Sequence, residues 1–326
     1  MTDTFEIHTL LFLQKPEILE QQRQQVSDRL AAALPGLQIM FASSPDDIPP
    51  GTYFDVVITP TLPWLPQLLN QLAGYRWIHF LSAGVEKIWD MGLDKPGLLL
   101  SKSSGVNSVP MSEYAIGAML HFAKQFGRFQ EQGREARWER VWLDELTGRR
   151  VAVLGLGHVG QAVAARARAF DMSVVGTLRH PRPMQGITRV AAPERTRELL
   201  VDADYLVVCL PLTANTRGFV DDELLAALKP GAVLIDISRG GVVNANAIIH
   251  ALESGCLKGA ALDVFEQQPL SKDSPLWNRD DILVTPHVSG TTPCYLERAL
   301  SIFLENLSNY RRCSCLLTPV NVALCY

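Results

Sequence analysis

No run of apolar residues in this sequence approaches the roughly 20 that a membrane-spanning helix needs. The best candidate, Tyr114 to Ala123, is closed off by Glu113 and Lys124. The apolar stretch from Thr9 to Leu13 is too short for a signal core and has no basic residue before it. There is no basic excess either. Lys and Arg number 30 against 34 Asp and Glu, for a formal net charge of -4, and the basic residues are spread out, which argues against a nucleic acid partner. No CxxC pair occurs among Cys209, Cys256, Cys294, Cys313, Cys315 and Cys325, and no His stands at ligand spacing near Cys313 and Cys315. That excludes a zinc reading and favours reduced thiols. These absences predict a cytoplasmic protein without a membrane or nucleic acid partner.

What is present is an ordinary globular composition, 47% hydrophobic and 20% charged over 326 residues, enough for about two domains. Strand-like and helix-like stretches alternate almost throughout. Phe5 to Leu13, Phe54 to Thr59 and Trp77 to Phe80 read as strands, with a helix from Glu17 to Leu34 between the first two. Met111 to about Arg134 reads as one long helix. Further on, Val151 to Leu154, Ser173 to Thr177, Tyr205 to Cys209, Val233 to Asp236, Gly259 to Leu262 and Ile282 to Thr285 are short, nearly all-apolar runs, as strands buried on both faces are. Helical stretches lie between most of them, including Asp221 to Leu228 and Ala245 to Ser254, and a last long helix runs from about Pro293 to Tyr310. The pattern predicts a doubly wound α/β fold. A cofactor domain is expected over 105–290, with 1–104 and 291–326 combining into a second lobe and the polar segment Gln130 to Glu145 as a bridge between lobes.

Gly155, Gly157 and Gly160 fit G-x-G-x-x-G between a strand and a helix, the context that gives the pattern meaning. The first glycine permits the tight turn, the second lets a pyrophosphate approach, and the third lets helix and strand pack closely. His158 and Val159 open the helix whose N–H groups and dipole would face the phosphates. An acid about 20 residues further on usually binds the ribose hydroxyls. Here none occurs between Asp171 and Glu194, and the strand runs instead into Arg179, His180 and Arg182. A carboxylate would repel a 2′-phosphate and a guanidinium would pair with it, so NADP is expected in preference to NAD.

Ligands of open α/β sheets sit beyond the carboxyl ends of the strands. Arg239, Asp263 and His287 each follow one of the apolar runs. An Arg fork suits the carboxylate and carbonyl of a 2-keto acid, and a His suits proton donation to the alkoxide formed as a hydride arrives. Singly, each is as consistent with a surface charge or a core imidazole. Together, behind a glycine turn, they point to a site.

With these residues in view, the sequence resembles the D-isomer-specific 2-hydroxyacid dehydrogenases, and most of all their short glyoxylate/hydroxypyruvate reductase branch. The resemblance rests on Ser82 to Glu86, Val109 to Tyr114, the glycine turn, Leu210 to Thr216, Ser238 to Gly240, Leu262 to Phe265 and Thr285 to Gly290. It implies a Rossmann cofactor domain, a smaller flavodoxin-like α/β substrate domain built from both chain ends, a closing cleft and a homodimer. It also implies that Arg239 binds a small 2-keto acid and His287 is the acid/base. Backbone N–H groups around Gly84 and Val85 would hold the substrate carboxylate, Asp263 would sit near the nicotinamide carboxamide, and Pro211 and Thr216 would line the dinucleotide.

One departure bears on the chemistry. The family pairs its His with a Glu in a D-V-F-x-x-E-P pattern, and here that position is Gln268. A Gln can orient the imidazole but cannot stabilise an imidazolium by charge, which predicts weaker activity or a reduction profile shifted to lower pH. Glu266 is the nearest acid that could substitute. The ending from Thr318 to Tyr326 also departs from the family's usual close; Val320 and Leu324 are expected to tie it down. Other readings remain: a nucleotide-sensing binding protein on the same fold, or a formate or phosphoglycerate dehydrogenase. The first lacks an added interaction tail, a formate enzyme normally has a longer N-terminal region, and a phosphoglycerate enzyme normally keeps the acid after the second cofactor strand. Trp64, Trp89, Trp138 and Trp142 are candidates for shaping substrate size, with burial in the core the expectation for each.

Overall fold

The computed structural model describes residues 5–84, 88, 91–93 and 95–320. The chain divides into two compact units, Met1–Val106 with Thr292–Tyr326, and Asn107–Thr291. The segment expected to bridge two lobes, Gln130 to Glu145, lies inside the second unit; the chain passes between units at residues 106/107 and 291/292 instead.

The first unit holds strands β1 (Thr9–Leu13), β2 (Gln38–Ala42), β3 (Tyr53–Thr59), β4 (Gly74–Phe80) and β5 (Leu99–Lys102) in a parallel sheet of order β2-β1-β3-β4-β5. That is the flavodoxin-like order. Helices α1 (Pro16–Ala33) and α2 (Leu65–Gln71) follow β1 and β3. Side chains alternate across a strand, so one run feeds two cores. Leu10 and Phe12 join Leu30 of α1 and Phe303 on one face, while Leu11 and Leu13 join Leu65 and Leu68 of α2 on the other.

In the second unit, α3 (Ser108–Ala123) and α4 (Phe126–Arg134) precede β6 (Arg150–Leu154), α5 (His158–Ala169), β7 (Ser173–Thr177) and β8 (Arg189–Ala191). Then come α6 (Thr196–Leu200), β9 (Tyr205–Val208), α7 (Asp222–Leu225), β10 (Ala232–Asp236), α8 (Ala245–Glu253), β11 (Leu257–Leu262) and β12 (Ile282–Val284). The last helix, α9 (Tyr295–Cys313), belongs to the first unit. The seven parallel strands take the order β12-β11-β10-β9-β6-β7-β8. Val151 and Val153 face a core shared with α3 and α5, and Ala152 and Leu154 face one shared with α6 and α8. The apolar runs are therefore buried on both sides, as their composition predicts.

Two expectations about helices are corrected. The stretch Met111 to Arg134 is two helices, because Gln125 takes a left-handed backbone (φ 50°) that cannot continue α3. The stretch Asp221 to Leu228 holds only the single turn α7, capped by the Asp221 side chain on Leu224 N.

Candidate functional site

The strand order reverses between β6 and β9: β7 and β8 lie to one side of β6, while β10, β11 and β12 continue beyond β9. A ligand crevice opens at such a reversal. Register brings the strand ends into step, with Leu154 opposite Val208, Asp236 opposite Leu262, and Leu262 opposite Val284. The residues that follow them therefore emerge along one edge of this unit.

The glycine turn occupies the reversal. Gly155 has φ +95°, a left-handed conformation glycine adopts without strain, and a Cβ there would press on the Cys209 carbonyl oxygen at 3.1 Å. A Cβ on Gly160 would overlap the Gly155 carbonyl oxygen, so only glycine lets α5 start this close. At Gly157 a Cβ would meet nothing within 4 Å, which leaves that backbone open to approach. His158 and Val159 begin α5, whose first-turn N–H groups have no acceptor within the helix. Turn and β7 are stitched together by Gly155 N to Thr177 Oγ1 (3.0 Å) and Leu156 N to Thr177 O (2.8 Å). Arg179, His180 and Arg182, all exposed, follow within five residues of that anchor. A tight turn, an open backbone and a helix start fit a dinucleotide pyrophosphate. Beyond β9, the Thr216 hydroxyl donates to the Pro211 carbonyl (2.6 Å) and accepts from Thr213 N (2.8 Å), fixing the loop from 211 to 216.

The loop after β10 is held by Asp236, whose Oδ1 accepts from Ser238 N (3.0 Å) and Ser238 Oγ (2.5 Å). Burial pushes the Asp236 carboxyl up to about 7, against the pull of the Ser238 hydrogen bonds, with the Asp263 charge pushing the same way as burial. Arg239 follows, half-buried, and its Nη1 donates to the Ser238 carbonyl (2.8 Å).

The turn after β12 is built around Asp263, which is fully buried. Its Oδ1 accepts from Thr285 Oγ1 (2.6 Å) and Val288 N (2.9 Å), and its Oδ2 from Ser289 N (2.9 Å). Since the Thr285 hydroxyl donates to Asp263, Tyr114 of α3 is the donor in the 2.8 Å contact between Tyr114 OH and Thr285 Oγ1. Burial pushes the Tyr114 phenol up to about 12, so it keeps its proton. This clamp brackets His287, whose φ of +55° is costly for a residue with a Cβ. Asp263, expected near the carboxamide of the coenzyme, has both carboxylate oxygens engaged by this loop.

Gln268 Nε2 donates to the Phe265 carbonyl (3.1 Å), which turns Oε1 toward His287 Nδ1 at 2.9 Å. Oε1 only accepts, so Nδ1 carries a proton. Nε2 of the exposed imidazole has no hydrogen-bond partner among the described residues. Glu266 does not substitute: its carboxylate lies 3.7 Å from Arg217 Nη1. Gly84 ends a described stretch, and Val85 lies outside the described residues, as do Trp89 and Leu324. The burial expected of the tryptophans fails at Trp138 and Trp142, which are 93% and 97% exposed, while Trp64 packs against a core.

Three contributors escaped sequence reading. Tyr114 and Thr285 stand inside the motifs named above, but nothing local marks Thr285 as a partner of Asp263 or Tyr114 as a partner of Thr285. The third is Asn107 at the start of α3, whose buried Oδ1 lacks a hydrogen-bond partner among the described residues and whose amide a Cβ on Gly290 would meet at 3.1 Å.

A seven-stranded parallel sheet with its glycine turn at the reversal defines a dinucleotide-binding domain of the Rossmann class. A profile of the D-isomer specific 2-hydroxyacid dehydrogenase NAD binding domain matches residues 116–289. Glyoxylate/hydroxypyruvate reductase A of Citrobacter koseri is 31% identical over 275 residues, 81% of this chain and 84% of that one. D-3-phosphoglycerate dehydrogenase of Methanocaldococcus jannaschii is 30% identical over 234 residues, 71% of this chain, which spans less than half (44%) of that longer protein. The crystal structure of a D-isomer specific 2-hydroxyacid dehydrogenase from Xanthobacter autotrophicus Py2, in complex with NADPH and MES, aligns with a TM-score of 0.82 at 29% identity, covering 98% of this chain and 100% of that one. The chain belongs to the D-isomer specific 2-hydroxyacid dehydrogenase family, and is thereby a nicotinamide-dependent oxidoreductase.

Proposed function

We propose that the protein reduces a small 2-keto acid, glyoxylate or hydroxypyruvate, to the D-2-hydroxy acid with NADPH, and runs the reverse oxidation with NADP. The observation that carries this reading is the state of His287: Gln268 fixes the proton on Nδ1 and leaves Nε2 for the substrate. The bound coenzyme supplies the hydride in reduction and takes it up in oxidation. Arg239 presents a guanidinium fork to the carboxylate and keto oxygen. As an imidazolium, His287 gives its Nε2 proton to the forming alkoxide, and in oxidation the neutral ring takes it back. Gln268 orients the ring, and Asp263 with Thr285 and Tyr114 holds the turn that carries it.

The preference for NADPH is supported by Arg179, His180 and Arg182 after β7 and by the missing acid up to Glu194. Steady-state rates with glyoxylate and hydroxypyruvate, each with NADPH and NADH, test the reading. NADPH is expected to win, and Arg179→Ala to cut that advantage by about tenfold or more, since a hydrogen bond to a charged group is worth about 1.5–3 kcal/mol. Binding of NADPH without turnover of any small 2-keto acid would favour the nucleotide-sensing alternative, to which the uncharged Gln268 lends its only support.

The reading includes a cytoplasmic homodimer. All five described cysteines are free, in keeping with a reducing compartment. Trp138, Trp142 and Leu143 form an exposed apolar stretch after α4 that a second copy would cover. Sedimentation of the parent and of Trp138→Ser/Trp142→Ser tests it, with the variant expected to run as a monomer.

A further inference from the structure

A cavity of about 480 Å³ lies within the second unit, behind the loop that carries Arg239. Its walls include Asp236 at the end of β10, Ile248 of α8, Val264 and Phe265 after β11, and Leu276; Asn246 stands at its edge. None of the residues assigned above to coenzyme or keto acid lines it, so it is a different space from the glycine turn.

Its polar lining is unbalanced. Asp236 is only 3% exposed, and both donors it accepts from, Ser238 N and Ser238 Oγ, are on Oδ1. Oδ2 accepts no hydrogen bond from any described residue. The other charges on the wall, Arg217 and Glu266, face one another at 3.7 Å and offset each other. The start of α8 is already capped, because Asn244 Oδ1 accepts from Asn246 N (2.9 Å) and Ala247 N (3.3 Å), so it makes no demand for an anion. What remains is one oxygen of a buried carboxylate that takes no donor from the described residues, on a wall shared with Ile248, Val264, Phe265 and Leu276. A buried carboxylate whose protein donors all fall on one oxygen is only partly satisfied, and a cation that brings its own N–H groups to the other completes it.

We propose that this cavity is a second small-molecule site, selective for an organic ammonium ion with a short apolar body, whose N–H groups are received by Asp236 Oδ2. The ammonium end neutralises the buried carboxylate while the hydrocarbon lies on the Ile248, Val264 and Leu276 side chains. Because burial and the nearby Asp263 charge hold the Asp236 carboxyl up to about 7, it takes up a proton in mildly acidic solution. The ammonium must then displace that proton to the buffer, so affinity is higher at pH 8 than at pH 6.

Isothermal titration of the full chain with n-butylammonium chloride at pH 8 tests this, with n-butanol and sodium butyrate as neutral and anionic probes of the same length. Saturable binding of n-butylammonium alone is expected, weakening by about tenfold or more in Asp236→Asn, since a charge-assisted hydrogen bond is worth at least that factor. Asn246→Trp, at the exposed edge of the cavity, closes it without touching the carboxylate and is expected to abolish binding. Far-UV circular dichroism establishes that each variant is folded. The proposal is overturned by the absence of saturable heat in the parent, by equal binding of n-butanol, or by folded variants that bind as the parent does. All of these readouts are independent of turnover, so their failure leaves the proposed reductase activity standing, and the reverse.

Discussion

His79 in the first unit and His287 in the second are set in opposite ways. His79 is fully buried on β4, with Ser101 Oγ 2.7 Å from Nδ1 and Ser103 Oγ 3.1 Å from Nε2. Ser103 donates onward to the Phe80 carbonyl, so it accepts from Nε2–H; Ser101 accepts from Trp77 Nε1–H (2.8 Å), so its own proton goes to Nδ1. Every donor and acceptor is matched by a neutral ring, and burial holds the His79 imidazole down to about 3. His287 is exposed, strained at φ +55°, fixed at one nitrogen and open at the other. An imidazole satisfied on both nitrogens is structure. One held on a single nitrogen, by a loop clamped from beneath, is available for proton transfer.

The contrast is broken or sharpened by four measurements. His287→Ala is expected to lower kcat for glyoxylate reduction by roughly 10²–10⁴, the usual worth of a general acid, with NADPH affinity little changed. A rate close to the parent's would leave His287 no more catalytic than His79. Asp263→Asn puts an amide donor against either Ser289 N–H or the Thr285 and Val288 donors. An unsatisfied buried donor costs about 1–3 kcal/mol. If that cost appears in the placement of the turn, kcat drops by about 10- to 100-fold with coenzyme affinity unchanged. Were the affinity to fall instead, Asp263 would be a coenzyme ligand as the resemblance implied.

The third measurement concerns stability. Below pH 6.5 the unfolded chain protonates at His79, while the folded chain resists until about pH 3. The contribution is therefore fully present above pH 6.5 and is lost as pH falls through that window, by at most about 1.4 kcal/mol per pH unit. Urea midpoints measured between pH 4 and 7 should fall with pH more steeply in the parent than in His79→Gln; identical slopes would show that the ring titrates freely. The smallest effect is expected from Gln268→Glu. A carboxylate beside Nδ1 favours the imidazolium, so the alkaline limb of the reduction profile should move up by about one pH unit. A superimposable profile would mean that the charge missing at position 268 is without consequence.

Much of this was legible in the residues. The apolar runs from Val151 to Thr285 became β6, β7, β9, β10, β11 and β12 because strands buried on both faces must be apolar throughout. β2, β5 and β8 were missed: all three are edge strands, Gln38–Ala42 with alternate residues exposed, Leu99–Lys102 four residues long and ending in Ser-Lys, and Arg189–Ala191 with three residues, too few to show a period. Gln268 beside His287 was legible through the family pattern. The break at Gln125 was not, since a left-handed residue need not be glycine or asparagine. Nor was the exposure of Trp138 and Trp142, because residue type biases burial without setting it.

By itself the sequence determined the parallel α/β architecture, the glycine turn and the residues that follow each strand, because backbone sterics and the two-residue alternation of strands are local properties. Only the tertiary structure decided which histidine is sealed and which is open, that Asp263 clamps a loop, and that Asp236 backs onto a cavity. Each of these depends on groups distant in the chain meeting within about 3 Å, a range over which a hydrogen bond is either made or lost.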